Sequence, residues 1–148
     1  MSRRVFSLKD IQLLEKNGKT APEQELTQKV ISYIPMEIVT AWTAIFGTLV
    51  SLDSTEVYWA AFVILGMLVP IYMWKFTNEP DLPAAKFQII GATGAFIAWV
   101  FAMGGPFTKL EDVGFVYNPQ YGTIVLAIYA VILIILLGKK PETSTVKN

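Results

Sequence analysis

One carboxylate stands alone in apolar surroundings. Glu37 lies within Tyr33-Ile-Pro-Met-Glu-Ile-Val-Thr-Ala-Trp-Thr-Ala-Ile-Phe-Gly-Thr-Leu-Val-Ser51, and no other charged side chain falls inside the apolar stretches of the chain. A carboxylate so placed can hold a cation or a proton, or sit in an acidic ring at the mouth of a pore. It can also answer the free amides and dipole of a helix that starts at Pro35, and pair with Lys75 or Lys86. Both roles stand on the sequence. With about 3.6 residues per turn, Glu37, Thr40, Ala41, Ala44, Gly47, Thr48 and Ser51 share one helix face, while Ile38, Trp42, Ile45 and Leu49 share the opposite one. The first face is small and hydroxylated, the second bulky. Its hydroxyls can bond to their own helix backbone, so the face does not by itself require water.

A second small face lies further along. Gln88, Gly91, Ala95, Ala98 and Ala102 align on one side of a helix with Gly94 beside them, and Ile90, Ile97 and Phe101 point away. Small residues at spacings of three and four let helix backbones approach closely in lipid. The two stretches run in the same direction, with Glu37 and Gln88 at matching depth. The expectation is that the two small faces meet inside the protein or line a shared axis, with Glu37 near Gln88. That seam is either closed by a helix or filled with water.

Other chemistry is scarce. The chain has no Cys and no His, which removes thiol catalysis, disulfides, the common zinc and haem ligand sets and the usual pH switch. No second carboxylate lies in the apolar stretches to complete an acid–base pair. Gly104-Gly105-Pro106 is turn chemistry, and no phosphate-cradling loop or nucleophile elbow is present. No catalytic residue, metal or cofactor is assigned, and the chain reads as a non-enzyme.

The elements that must position these faces follow from composition. Of the 148 residues, 53% are hydrophobic and only 16% charged, against about 45–50% and about 25% in a soluble domain. Apolar stretches at 35–52, 57–74, 87–103 and 122–138 are at the short end of the roughly 17–25 residues that span a bilayer. A soluble bundle would need a charged face on each helix, which these lack. The fold expected is an all-α four-helix transmembrane bundle occupying 34–138. Of the 12 basic residues all but Lys109 fall in the N-terminal segment, in the second loop (Lys75, Lys86) or in the 139–148 tail, which puts both termini in the cytoplasm. The short Asp53–Glu56 connection makes a tight hairpin of the first two spans. The second loop, with Pro80 and Pro83, is non-helical. Pro70 kinks the second span. The fourth span is bulky nearly all round and suits an outer, lipid-facing position, with Tyr129 finding a partner inward. The third loop, Gly104 to Tyr121, reads as external with two turns, because a re-entrant segment would have to hide Lys109, Glu111 and Asp112. The halves do not repeat one another, so an inverted-repeat transporter is not supported.

Residues 1–33 form an amphipathic cytoplasmic segment with two short helices. Ser7 caps the first, Asn17-Gly18 stops it, and Thr20-Ala-Pro-Glu23 opens the second as a capping box. The stripe of Leu8, Ile11 and Leu14, and that of Leu26 and Val30, suit either the membrane surface or a docked partner. No cleavable signal peptide precedes the first span. The function expected is that of a multi-pass membrane protein acting as a self-associating or anchoring subunit of a larger assembly. The alternative is a small oligomeric channel lined by Glu37, Thr40, Ala44 and Thr48. Partners are the lipid bilayer and a second copy or another subunit; the balanced charge gives no reason to expect nucleic acid. Compact size and clean charge asymmetry fit a bacterial inner membrane.

Overall fold

The computed structural model describes Arg4, Phe6 and residues 8–19, 33–78, 82 and 85–137. The second N-terminal helix expected with Leu26 and Val30, most of the second loop and the 139–148 tail lie outside the described residues. Within them the protein is all-helical, with no strand. Helix α1 spans Leu8–Lys16, α2 Met36–Leu52, α3 Thr55–Thr77, α4 Lys86–Ala102 and α5 Pro119–Leu137. Two short 3-10 turns, Gly105–Lys109 and Glu111–Val113, lie between α4 and α5.

Each boundary has a local cause. Helix α1 stops at Asn17-Gly18, where Gly18 takes a φ of 69° and the Lys19 amide turns back to the Leu14 carbonyl. Helix α2 ends at Asp53, which is left-handed at φ 49°. Ser54 then caps α3 by accepting from the Val57 amide at 3.4 Å. Helix α3 runs through Pro70 for 23 residues, past the 57–74 bounds read from hydropathy, and is long and apolar enough to cross a membrane. Helix α5 starts at Pro119, three residues before the apolar run. Asn118 accepts from the Gln120 amide at 2.9 Å, and proline suits the first helical position, where its missing N–H costs nothing. The Asn118-Pro119 pair therefore opens a helix where the sequence reads as the close of a loop.

The helices alternate in direction. Tyr33, just ahead of α2, lies against Gly91 near the start of α4, and Leu133 near the end of α5 reaches the same glycine. At the opposite end Gly122 of α5 abuts Ala102 of α4, and Asp53 pairs with Lys109. Helix α4 is central, with its broadest contacts to α3 on one side and to α5 on the other; α2 packs on α3 and less extensively on α4.

Aromatic rings fill the space between α2, α3 and α4. Trp42 is fully buried and meets Phe62 and Phe96 edge-on, at 6.4 and 6.2 Å between centroids, and Phe62 stacks on Phe96 at 6.1 Å. The first part of the third loop folds inward. Gly104, Gly105 and Pro106 are buried, and Phe107 wedges against Trp59, Phe62 and Phe101. The rest of that loop keeps to the surface, with Glu111 and the apolar residues 113–116 exposed and Lys109 half-buried. The first part of the loop is thus a folded cap, because Phe107 and the two glycines let the backbone drop onto the aromatic cluster while Lys109 and Glu111 remain above it.

The outer surface is apolar. Ile64, Met67 and Ile71 on α3, and Ile124, Ile128, Val131 and Ile135 on α5, are exposed. Few residues of α3 are buried, although it is the longest helix among the described residues.

Candidate functional site

The structure turns α2 with its bulky side inward. Ile38, Val39, Trp42 and Leu49 are buried, Ile45 of the bulky side is exposed, and Glu37, Thr40, Ala41, Ala44, Gly47, Thr48 and Ser51 are all exposed. A Cβ built on Gly47 would meet nothing within 4 Å. The expected meeting of the two small faces within the protomer is therefore corrected: the α2 face is open. The cause is area. Burying an indole and branched aliphatics against Phe62 and Phe96 gains more than burying alanines and threonines would. Ser51 donates to the Thr48 carbonyl at 2.8 Å, spending its hydroxyl on its own helix.

The small face of α4 is occupied, but by other partners. Gln88, Ala95 and Ala98 are buried and Gly91 is half-buried. A Cβ on Gly91 would sit 2.6 Å from the Tyr33 ring, and one on Gly94 2.9 Å from the Tyr129 ring. The Tyr129 hydroxyl donates to the Gly91 carbonyl, which is the inward partner its mid-helix position calls for. Two glycines one turn apart thus let two tyrosines lie flat on α4. Neither Glu37 nor Gln88 is without an interaction of its own.

Among the described residues two charged contacts close the ends, and sequence reasoning found neither. At one end the Arg4 guanidinium donates to Asp10 at 2.9 Å and to the Thr77 carbonyl at 3.3 Å. This ties α1 to the last turn of α3. Leu14 is also buried and Ile11 half-buried, so the α1 stripe faces the protein and Leu14 is not offered to a docking partner; the side chain of Leu8 lies outside the described residues. At the other end the Lys109 ammonium bonds to Asp53 and lies 6.0 Å from the centre of the Tyr58 ring. The usable signal was that Lys109 is the one basic residue on its side. A polar recess of about 240 Å³ opens beside it, lined by Thr55, Thr108, Lys109 and Glu111.

The hydrogen bond to Asp53 raises the Lys109 pKa above its ordinary 10.5. A raised pKa in the folded state means that the folded form binds the proton more tightly. The latch's contribution is then fully present below pH 10.5 and lost as pH rises through the higher folded value. Unfolding midpoints measured from pH 9 upward should fall more steeply for the wild type than for Lys109→Met; parallel curves would show that the latch adds nothing.

Tyr117 completes this end. Its hydroxyl donates to the carbonyls of Phe101 at 2.8 Å and Ala102 at 3.2 Å, the last residues of α4. Burial pushes the phenol above its ordinary pKa.

Among the described residues no three His, Cys, Asp or Glu side chains converge on a point. What the geometry offers is surface: an open small face on α2 and apolar flanks on α3 and α5. Comparison with family models, with curated proteins and with solved structures finds no match for this chain.

Proposed function

We propose that this chain is a non-enzymatic integral membrane protein with four spans, α2 to α5, and both termini in the cytoplasm, that self-associates through the open face of α2. The observation that carries this is the inverted disposition of α2. A helix that faced only lipid would gain nothing from turning glycine, alanines, threonines and a carboxylate outward and its bulky side inward. A helix that meets a neighbour in lipid gains close backbone approach from that arrangement. At 17 residues, α2 and α4 each extend about 25 Å at 1.5 Å per residue, just enough for a thin bilayer when flanking Lys and aromatic side chains reach the interface. The exposed isoleucines of α3 and α5 suit lipid contact. The charge asymmetry orients the bundle, and it fits a bacterial inner membrane.

Gly47→Leu tests the seam. The open space at Gly47 means that the protomer tolerates the larger side chain, while a neighbouring helix would not. Association measured by subunit counting in liposomes should weaken at least about tenfold, or ~1.4 kcal/mol, with the monomer's unfolding midpoint unchanged. Association equal to wild type would remove α2 from the interface.

A water-filled seam is the second reading, favoured by the exposure of Glu37 at the end of the stripe with Thr40 and Thr48 turned the same way. Ion flux in liposomes whose selectivity changes with Glu37→Gln would support it. The dry seam is preferred because glycine and alanine have nothing to offer water and Ser51 is already bonded.

A further inference from the structure

Between the second 3-10 turn and α5 the chain turns large apolar side chains outward. Val113 is 76% exposed, Val116 69% and Phe115 36%. This segment is held in place from both sides. Upstream, the amides of Gly114 and Phe115 bond to the carbonyls of Glu111 and Leu110, and Gly114 takes a φ of 82° that a side chain would resist. Downstream, Tyr117 is bonded to the carbonyls that end α4. Val116 precedes Tyr117, with its Cα about 3.8 Å away, so the turn is fixed at the height of the α4 terminus. If α4 spans the bilayer, that height is where hydrocarbon gives way to headgroups. From Val113 to Tyr117 the sequence carries no charge. The exposed surface then continues onto Tyr121 and Ile124 of α5.

We propose that the Val113–Val116 turn is an interfacial lipid anchor, inserted at the bilayer surface beside the start of α5 on the side away from the termini. The occupant is lipid because the exposed apolar side chains of the turn resume, past Asn118 and Gln120, at Tyr121 and Ile124 on the outward side of α5, and because its height is set by a helix end. A tyrosine on either flank, Tyr117 and Tyr121, is the residue type that settles at such a boundary. The anchor rests on the four-span proposal.

The chain has no native cysteine, so single cysteines can be placed in the full-length protein without a background. Val116→Cys, Glu111→Cys and Ile128→Cys, each labelled with the nitrobenzoxadiazole fluorophore, are compared in phosphatidylcholine–phosphatidylglycerol liposomes. The quenchers are nitroxides on lipid headgroups or acyl chains, and aqueous iodide. The label at Val116 should emit to the blue of that at Glu111, lose most of its intensity to lipid nitroxides and keep it in iodide. Quenching of the Val116 label by iodide to the extent seen at Glu111 would overturn the anchor. Shielding of that label from both quenchers would also overturn it, in favour of a protein neighbour. An Ile128 label that acyl-chain nitroxides fail to quench would overturn the span assignment beneath the proposal. An Ile128 label that they do quench, beside a Val116 label in water, sinks the anchor alone.

Discussion

Gly122→Ala should loosen α5 from α4 although it adds a single methyl group. The new Cβ would lie 2.6 Å from the Ala102 Cα, 3.0 Å from the Ala102 carbonyl oxygen and 2.9 Å from the Tyr117 hydroxyl. Two of these neighbours are backbone, which cannot swing aside. The third is the hydroxyl that ties the loop to the end of α4. Either α5 shifts outward along its first turns or Tyr117 loses its carbonyls. Overpacking of this kind costs about 1–3 kcal/mol, and a backbone neighbour puts Gly122 at the upper end. The effect should show as a lower midpoint for unfolding in detergent micelles. Gly47→Ala is the matched control. Its Cβ meets nothing, and alanine is favoured over glycine in a helix by roughly 0.5–1 kcal/mol, so the protomer should be unharmed or slightly firmer. Gly91→Ala should fall between them, because the Tyr33 ring in its way can rotate. If Gly122→Ala and Gly47→Ala unfold at the same midpoint, the close approach of α5 to α4 is not what holds these helices together.

The contrast between Gly122 and Gly47 also marks what could be read in the sequence. Helices were legible as apolar runs, the stop at Asn17-Gly18 as local backbone chemistry, and the hairpin at Asp53–Glu56 as a short polar connection. The two small faces were legible too, because periodicity is a property of one helix at a time. Which face meets which was not. That choice depends on whether Phe62 and Phe96, far from Trp42 in the chain, present rings at the right height to take an indole edge. They do, so α2 rotates its bulky side inward and leaves Gly47 open. Gly122 carried no signal at all, since a glycine at the start of a long apolar helix looks the same whether it touches lipid or a neighbouring backbone. The third loop was legible only in part. Its charges marked it as external, and the buried wedge of Phe107 depends on a cavity that only the assembled helices create.

The ion pair at the opposite end gives the second large effect. Arg4 and Asp10 are 1% and 5% exposed, and the guanidinium also reaches the carbonyl of Thr77, the last residue of α3. That carbonyl belongs to the negative end of the helix dipole, where a cation is favoured. Thr77 is itself buried, with its hydroxyl on the Met73 carbonyl at 2.6 Å, so the contact has little water to fall back on. Asp10→Asn removes the counter-charge and leaves the guanidinium buried, which costs about 3–5 kcal/mol where it has been measured for such pairs. An exposed pair would cost no more than about 1 kcal/mol. The double replacement Arg4→Met with Asp10→Leu removes both charges together, and it should recover most of the loss because no buried charge is left uncompensated. Two measurements read the outcome: the unfolding midpoint in micelles, and the rate of trypsin cleavage at the exposed Lys9, Lys16 and Lys19, which rises when α1 leaves α3. Asp10→Asn should lower the first and raise the second, with the double variant close to wild type in both. A double variant as damaged as the single one would mean that α1 is held by the shape of the guanidinium and not by the balance of charge.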